Sequence, residues 1–309
     1  MPIQFTPIIK NMKINLVHTL IAIILGVTFS FSIYAQTALP EVDIYLADFQ
    51  TKKGKVQIST PSNVTNRAGY DNQPNFTPDG KGFLYTSIRD NQADIYFYDL
   101  QTQSSRQMTQ TPESEYSASV MPDKKFFSTV RVEKDGTQRL WKFELKDPSK
   151  ASLVLEEIKP VGYYVWANPT QLALFVLGEP NSLQVADLTD GKGKKIEEKV
   201  GRSFHLIPKQ KGKISFIHKV QDKEWYAKSL DMNTLKTEEL VKMFEGCEDI
   251  CWTKDRILLM PQGAKIYQWN NQKDSDWVEI ADFSNLGIKQ ITRIAVNPKG
   301  DKITFVAGK

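Results

Sequence analysis

Asn75-Phe76-Thr77-Pro78-Asp79-Gly80-Lys81-Gly82-Phe83-Leu84-Tyr85-Thr86-Ser87 is the stretch from which the fold follows. It reads as strand, turn, strand, because Pro78 presets the turn's backbone angle and Gly80 supplies positive φ. The next segment, Asp94-Ile95-Tyr96-Phe97-Tyr98-Asp99-Leu100, alternates apolar with polar or aromatic side chains and predicts a third strand. Gln101-Thr102-Gln103 then turns into a weak fourth strand through Arg106 to Met108.

Degenerate copies of this unit run along the chain. Aligned on Pro78, Pro122, Asn168, Pro208, Thr253 and Pro298, the turn recurs at steps of 44, 46, 40, 45 and 45 residues. Copies of the third strand begin at Asp43, Asp94, Arg139, Ser182, Glu224 and Lys265, so both series count to six. A period near 45 with four short strands per unit is the signature of propeller blades, small sheets that bury their faces only against neighbours. The expected fold is therefore all-β, a six-bladed propeller over residues 36 to 309. The last unit has only its first two strands, at 291 to 296 and 302 to 306. The mature N-terminus opens with a third and a fourth, at 42 to 48 and 55 to 59. One blade completed by both ends would close the ring and protect edges that an open array leaves bare.

In Pro74-Asn75-Phe76-Thr77-Pro78-Asp79-Gly80 and Asp94-Ile95-Tyr96 the chain resembles the TolB-like propeller repeat, a Pro-x-Phe-Ser-Pro-Asp-Gly turn followed by Asp-Ile-Tyr. The match is close in this unit, fair in the Asp43, Pro122 and Pro298 units and faint in the middle three; as a pattern it covers residues 42 to 309. The resemblance implies a periplasmic or cell-surface propeller acting in protein binding or envelope maintenance. It also marks a departure: the expected chain is the propeller alone, without the α/β domain that precedes it in TolB.

Ahead of the repeat, Met12-Lys13 leads into an apolar stretch from Leu20 to Phe31 and then Ser32-Ile33-Tyr34-Ala35-Gln36. That order predicts a secretory signal over residues 1 to 35, with Met12 as an alternative start. The apolar core is shorter than the ~20 residues that cross a bilayer, which makes a retained membrane anchor the alternative. The formal net charge of +4 falls by two once Lys10 and Lys13 are set aside, so composition gives no case for nucleic acid or an anionic membrane. The expected product is a monomer in the periplasm or outside the cell. Cys247 and Cys251 are the two cysteines. They bridge if the backbone turns between them and otherwise stay separate buried thiols.

Catalytic patterns are thin. No Gly-x-Ser-x-Gly elbow is present, and Ser203 with His205, two apart on a strand, specify no third group. Cys247, Glu248, Asp249 and Cys251 carry metal-binding atoms, but their spacing matches no closed zinc site. Gly191-Lys192-Gly193-Lys194-Lys195 lacks the phosphate-loop spacing and reads as a solvated hairpin. Asp79, Asp94 and Asp99 recur with the repeat and are expected to bond nearby backbone amides. No cofactor is expected.

Function is expected in the linkers between blades, which enter a propeller's central channel at one face while the Pro-Asp-Gly turns lie at the other. These linkers bring Tyr70, Asn72, Tyr116, Tyr163, Tyr164, Arg202, Glu248 and Arg293, a mixture suited to a peptide loop or a glycan. The expected function is a non-catalytic scaffold that binds an envelope or secreted protein. The alternative is a carbohydrate-active or lactone-hydrolysing propeller enzyme with a cation in its channel.

Overall fold

The structure, a computed structural model, describes residues 40–308. The secretory signal expected over residues 1 to 35 lies outside the described residues. Within them, regular structure is almost entirely β-strand, and no helix is long and apolar enough to cross a membrane. Four antiparallel four-stranded sheets follow one another along the chain. They begin with Ser114–Val120, Val161–Trp166, His205–Leu206 and Cys251–Trp252, and each adds its strands outward in sequence order. The remaining strands form one nine-stranded sheet, in the order Ile291–Val296, Lys302–Gly308, Val42–Lys52, Tyr70–Phe76, Gly82–Arg89, Gln92–Asp99 and Ser104–Gln107. Lys55–Ile58 and Ser62–Asn63 pair with Val42–Lys52 off this path. The fold is a β-propeller.

The two ends of the described chain meet in that large sheet. Val42 pairs with Gly308 and the register runs antiparallel without a break to Asp48 opposite Lys302. The Lys302 ammonium also reaches the Asp48 carboxylate. The expected pairing of head and tail is thus present, with seven residues of each strand matched. By contrast, the junction of Val42–Lys52 with Tyr70–Phe76 is a single parallel bridge, Val42 to Tyr70.

Packing explains why the strands are so apolar. In a sheet covered on both faces, alternate residues enter different cores, so a strand reads as a continuous apolar run. Gly82–Arg89 opens with six consecutive buried residues. Phe83 and Tyr85 join Val42, Ile44 and Val306 on one side, while Leu84 joins Ile95, Phe127 and Phe143 on the other. The interior is divided in this way into packets between successive sheets. Leu172 and Leu174 pack on Val130 and Leu140, Phe175 on Phe216, Ile217 on Leu258, and Leu259 on Ile303 and Phe305. Side-chain bonds repeat the same joint: Trp166 Nε1 donates to Ser128 Oγ at 2.9 Å, and Trp252 Nε1 to Ser215 Oγ at 2.8 Å, each reaching back to the preceding sheet.

The turns confirm some local expectations and correct others. Asp79 accepts the Lys81 amide and Asp99 those of Gln101 and Thr102, as expected. Asp94 takes the Thr111 amide and also the side chains of Gln107 and Thr109, tying the third strand to the end of the fourth and the segment after it. That fourth strand is Ser104–Gln107, so Met108, placed on it by the sequence, is past its end, buried against Leu84. The hairpin at Gly191 joins Ser182–Asp187 to the exposed start of Lys192–Glu198, with no phosphate-loop geometry. Left-handed backbone recurs at the residue whose amide closes the repeated turn, Gly80 (φ 66°), Lys124 (56°), Arg256 (64°) and Gly300 (71°), and one residue earlier at Lys209 (62°). Glycine adopts this conformation freely, whereas a Cβ makes it costly.

Two outcomes are expected. Lys124→Gly relieves left-handed strain at an exposed turn and stabilises the fold by about 1 kcal/mol, read as a higher midpoint in chemical denaturation. Phe305→Ala removes a fully buried ring stacked between Tyr45 and Phe283, at centroid distances of 5.3 and 5.2 Å, and costs roughly 3–5 kcal/mol. An unchanged midpoint in the second variant would contradict the closing-sheet packing.

Candidate binding site at the channel mouth

The first strand of each four-stranded sheet, together with Tyr70–Phe76 and Ile291–Val296, lines one central cavity of about 270 Å³. Regular pairing would aim alternate side chains of these strands at fixed angles. Instead the register breaks between Asn72 and Asn75, between Tyr116 and Ser119, between Val161 and Tyr163, and between Ile291 and Arg293. Such bulges re-aim the side chains of the strand that carries them. Gln73 and Ser117 take left-handed backbone here, at φ 58° and 55°. Gln73 Oε1 accepts the Thr86 hydroxyl at 2.8 Å and the Ser117 amide at 2.9 Å, so one side chain pins two neighbouring sheets at the cavity wall.

At the linker end of the cavity, residues far apart in sequence converge. Arg293 donates through Nη2 to Tyr163 Oη at 2.9 Å, and its Nη1 lies 3.3 Å from Asp249 Oδ2. Asp249 Oδ1 accepts the Ile294 amide at 3.1 Å. Arg202 donates to the Thr292 carbonyl at 3.0 Å and stands 3.6 Å from Glu248, which is also held by Lys219. The Tyr70 hydroxyl is bonded by Asn72 and has Tyr163, Tyr116 and Arg202 as electrostatic neighbours. Burial, more than the two tyrosines, raises its pKa. Burial likewise holds the Asp249 carboxyl up at about 7, Glu248 pushing the same way and Arg202 and the Ile294 amide pulling it down.

Of the residues expected at the linkers, Tyr70, Asn72, Tyr116, Tyr163, Arg202, Glu248 and Arg293 are all placed in or beside this cluster. Tyr164 differs. It borders the cavity, but its hydroxyl donates to main-chain carbonyls of the preceding sheet, including that of Ser117 at 3.0 Å, so its polar end is a tether between sheets. Glu115, in the same linker as Tyr116, is fully buried against Arg131 at 3.0 Å and Thr111. The central acid of the cluster is Asp249, which the sequence singles out only among the metal-binding atoms of residues 247 to 251 and not among the expected linker contacts.

Other candidate chemistry resolves into structure. Cys247 and Cys251 are free buried thiols, and Cys247 donates to the Pro261 carbonyl at 3.0 Å; burial pushes its pKa up to about 12. Among the described residues, no group of three or more His, Cys, Asp or Glu side chains is arranged to hold a metal ion. Ser203 Oγ lies 2.9 Å from His205 Nε2, yet it also accepts the Ile250 amide and approaches the Ile250 carbonyl. The hydroxyl is engaged in joining two successive linkers, those before His205–Leu206 and before Cys251–Trp252. Burial pushes the His205 pKa down to about 4, leaving a neutral imidazole at neutral pH.

No protein-family model matches the sequence, and no curated protein matches it. Among solved structures the chain is similar to the putative TolB from Agrobacterium tumefaciens, with 10% identity and a TM-score of 0.66 over 87% of this chain and 99% of that one. It is similar to TolB from Acinetobacter baumannii, with 13% identity and a TM-score of 0.57; there it covers 86% of itself and spans 64% of the TolB chain. It is also similar to an oligogalacturonate lyase from Vibrio parahaemolyticus, with 15% identity and a TM-score of 0.51 over 87% and 98% of the two chains. At such identities the likeness is one of fold, and this fold carries TolB proteins and an enzyme alike. The structural neighbours of the chain are TolB-like and other β-propellers.

Proposed function

We propose that the protein is an exported, non-catalytic, six-bladed propeller that docks a segment of an envelope or secreted protein at the linker mouth of its channel. The six-blade count treats the nine-stranded sheet as two blades in edge contact at the Val42–Tyr70 bridge, one of them completed by both chain ends. The six recurring turns in the sequence support that division. Periplasmic or extracellular residence rests on the signal pattern before residue 36.

The observation that carries the binding reading is the convergence of Tyr70, Tyr163, Arg202 and Arg293 on one end of the channel. Tyrosine and arginine are the residue types that dominate protein interfaces, since each joins a broad packing surface to directional polar contacts. Here they come from four different segments and are held by main-chain and side-chain bonds. Little conformational freedom is left to lose on binding, which favours affinity.

The test is capture from the source organism's envelope fraction, followed by binding measurements with the purified partner. The double variant Tyr163→Ala, Arg202→Ala is expected to weaken binding by at least ~10-fold, the loss typical of interface anchors, while its circular dichroism matches the parent. Undiminished binding by a folded double variant would remove the mouth as the docking site.

A further inference from the structure

We propose that Arg202 and Arg293 form a carboxylate-binding subsite that takes an Asp or Glu side chain of the docked segment, with Asp249 as the internal carboxylate competing for the same guanidinium groups. The inference rests on the docking reading above and deepens it by naming the chemistry that the mouth selects.

The geometry is that of a partly used donor set. Each guanidinium carries five N–H donors in a planar fork suited to a carboxylate. Arg293 spends donors on Asp249 and Tyr163, and Arg202 one Nη on the Thr292 carbonyl; Arg202 Nε is buried and has no hydrogen-bond partner among the described residues, so the exposed part of the fork is its other end. The acids present are bound to other partners and stand off from the two guanidinium groups. Asp249 at 3.3 Å and Glu248 at 3.6 Å lie beyond the 2.7–2.9 Å usual for a charge-assisted bond. Arg202 keeps 28% of its side chain exposed, so an incoming group reaches it from solvent, whereas Arg293 is 11% exposed.

Asp249 makes the subsite responsive to protons. It is buried and faced from every side by polar or charged groups: Arg202 from the preceding linker, Arg293 and the Ile294 amide from Ile291–Val296, Tyr163 from Val161–Trp166, and Cys247, Glu248 and Cys251 from its own segment, with Lys219 behind Glu248. Its carboxyl titrates near 7, so across neutral pH it passes from a counter-charge to a neutral group. As pH falls through that value, the two guanidinium groups lose internal neutralisation and attract an external carboxylate more strongly. Because linkage is reciprocal, binding the acidic segment takes up a proton on Asp249.

The experiment is calorimetry and NMR titration of the purified protein with acetyl-Gly-Asp-Glu-Gly-amide, its Asn-Gln analogue and a trigalacturonate, at pH 6 and pH 8. The acidic peptide is expected to bind about fivefold more tightly at pH 6 than at pH 8, with net proton uptake, and to lose most of its affinity when its acids become amides. Asp249→Asn is expected to bind at both pH values as the parent does at pH 6, and Asp249→Glu to restore the pH dependence. Three results would overturn the proposal: equal binding of the amide analogue, a pH dependence that survives Asp249→Asn in a folded variant, or tighter binding of the trigalacturonate. If the peptide fails while the purified partner still depends on Tyr163 and Arg202, docking stands and the carboxylate subsite falls. If partner binding ignores those residues too, both fall.

Discussion

Seven consecutive residue pairs between Val42–Asp48 and Lys302–Gly308 hold the first and last described strands of the chain in one sheet. A blade-like sheet has two apolar faces and no means of covering them alone, so each depends on the sheet before and the sheet after it. Without the head-to-tail pairing the ring would end in two bare sheet edges. The packets of side chains on either side, with Phe305 and Ile303 facing one neighbour and Val306 the other, would also lose half their walls.

The channel follows from that closure. Its lining strands are fixed in place by the outer strands that pair with them, and their bulges turn selected side chains toward the axis. Arg293 sits two residues into the strand that begins the closing sheet, and from there it meets Asp249 and Tyr163. The cluster of Arg293, Asp249 and Tyr163 is thus mounted on the same joint that holds the ring together. Gln73, spanning two neighbouring sheets through Thr86 and Ser117, performs the same service on the opposite side of that joint.

Much of the fold was legible in the sequence because the determinants of a blade are local. Turn chemistry at Pro78-Asp79-Gly80, strand alternation after Asp94 and a regular period are properties of neighbouring residues, and they name the class and the joined ends. The turn at Lys124, Lys209 and Arg256 was harder to see, since left-handed backbone there is held without glycine. The site was legible only as a set of linkers. Arg293 meets Asp249 across 44 residues, one repeat period, and Tyr163 across 130; the period brings the linkers together but does not say which of their side chains meet. Tyr164 and Glu115 show the limit in the other direction: each sits beside a cluster residue in sequence, yet each turns its polar end into a joint between strands or sheets.

Amide hydrogen exchange addresses the closure most directly. If the ring is sealed by the pairing of the chain ends, the amides of residues 42 to 48 and 302 to 308 exchange together and only through global unfolding, far more slowly than those of the exposed outer strand Ser104–Gln107. Exchange of the two terminal strands at the outer strand's rate, or at rates that differ from each other, would contradict it.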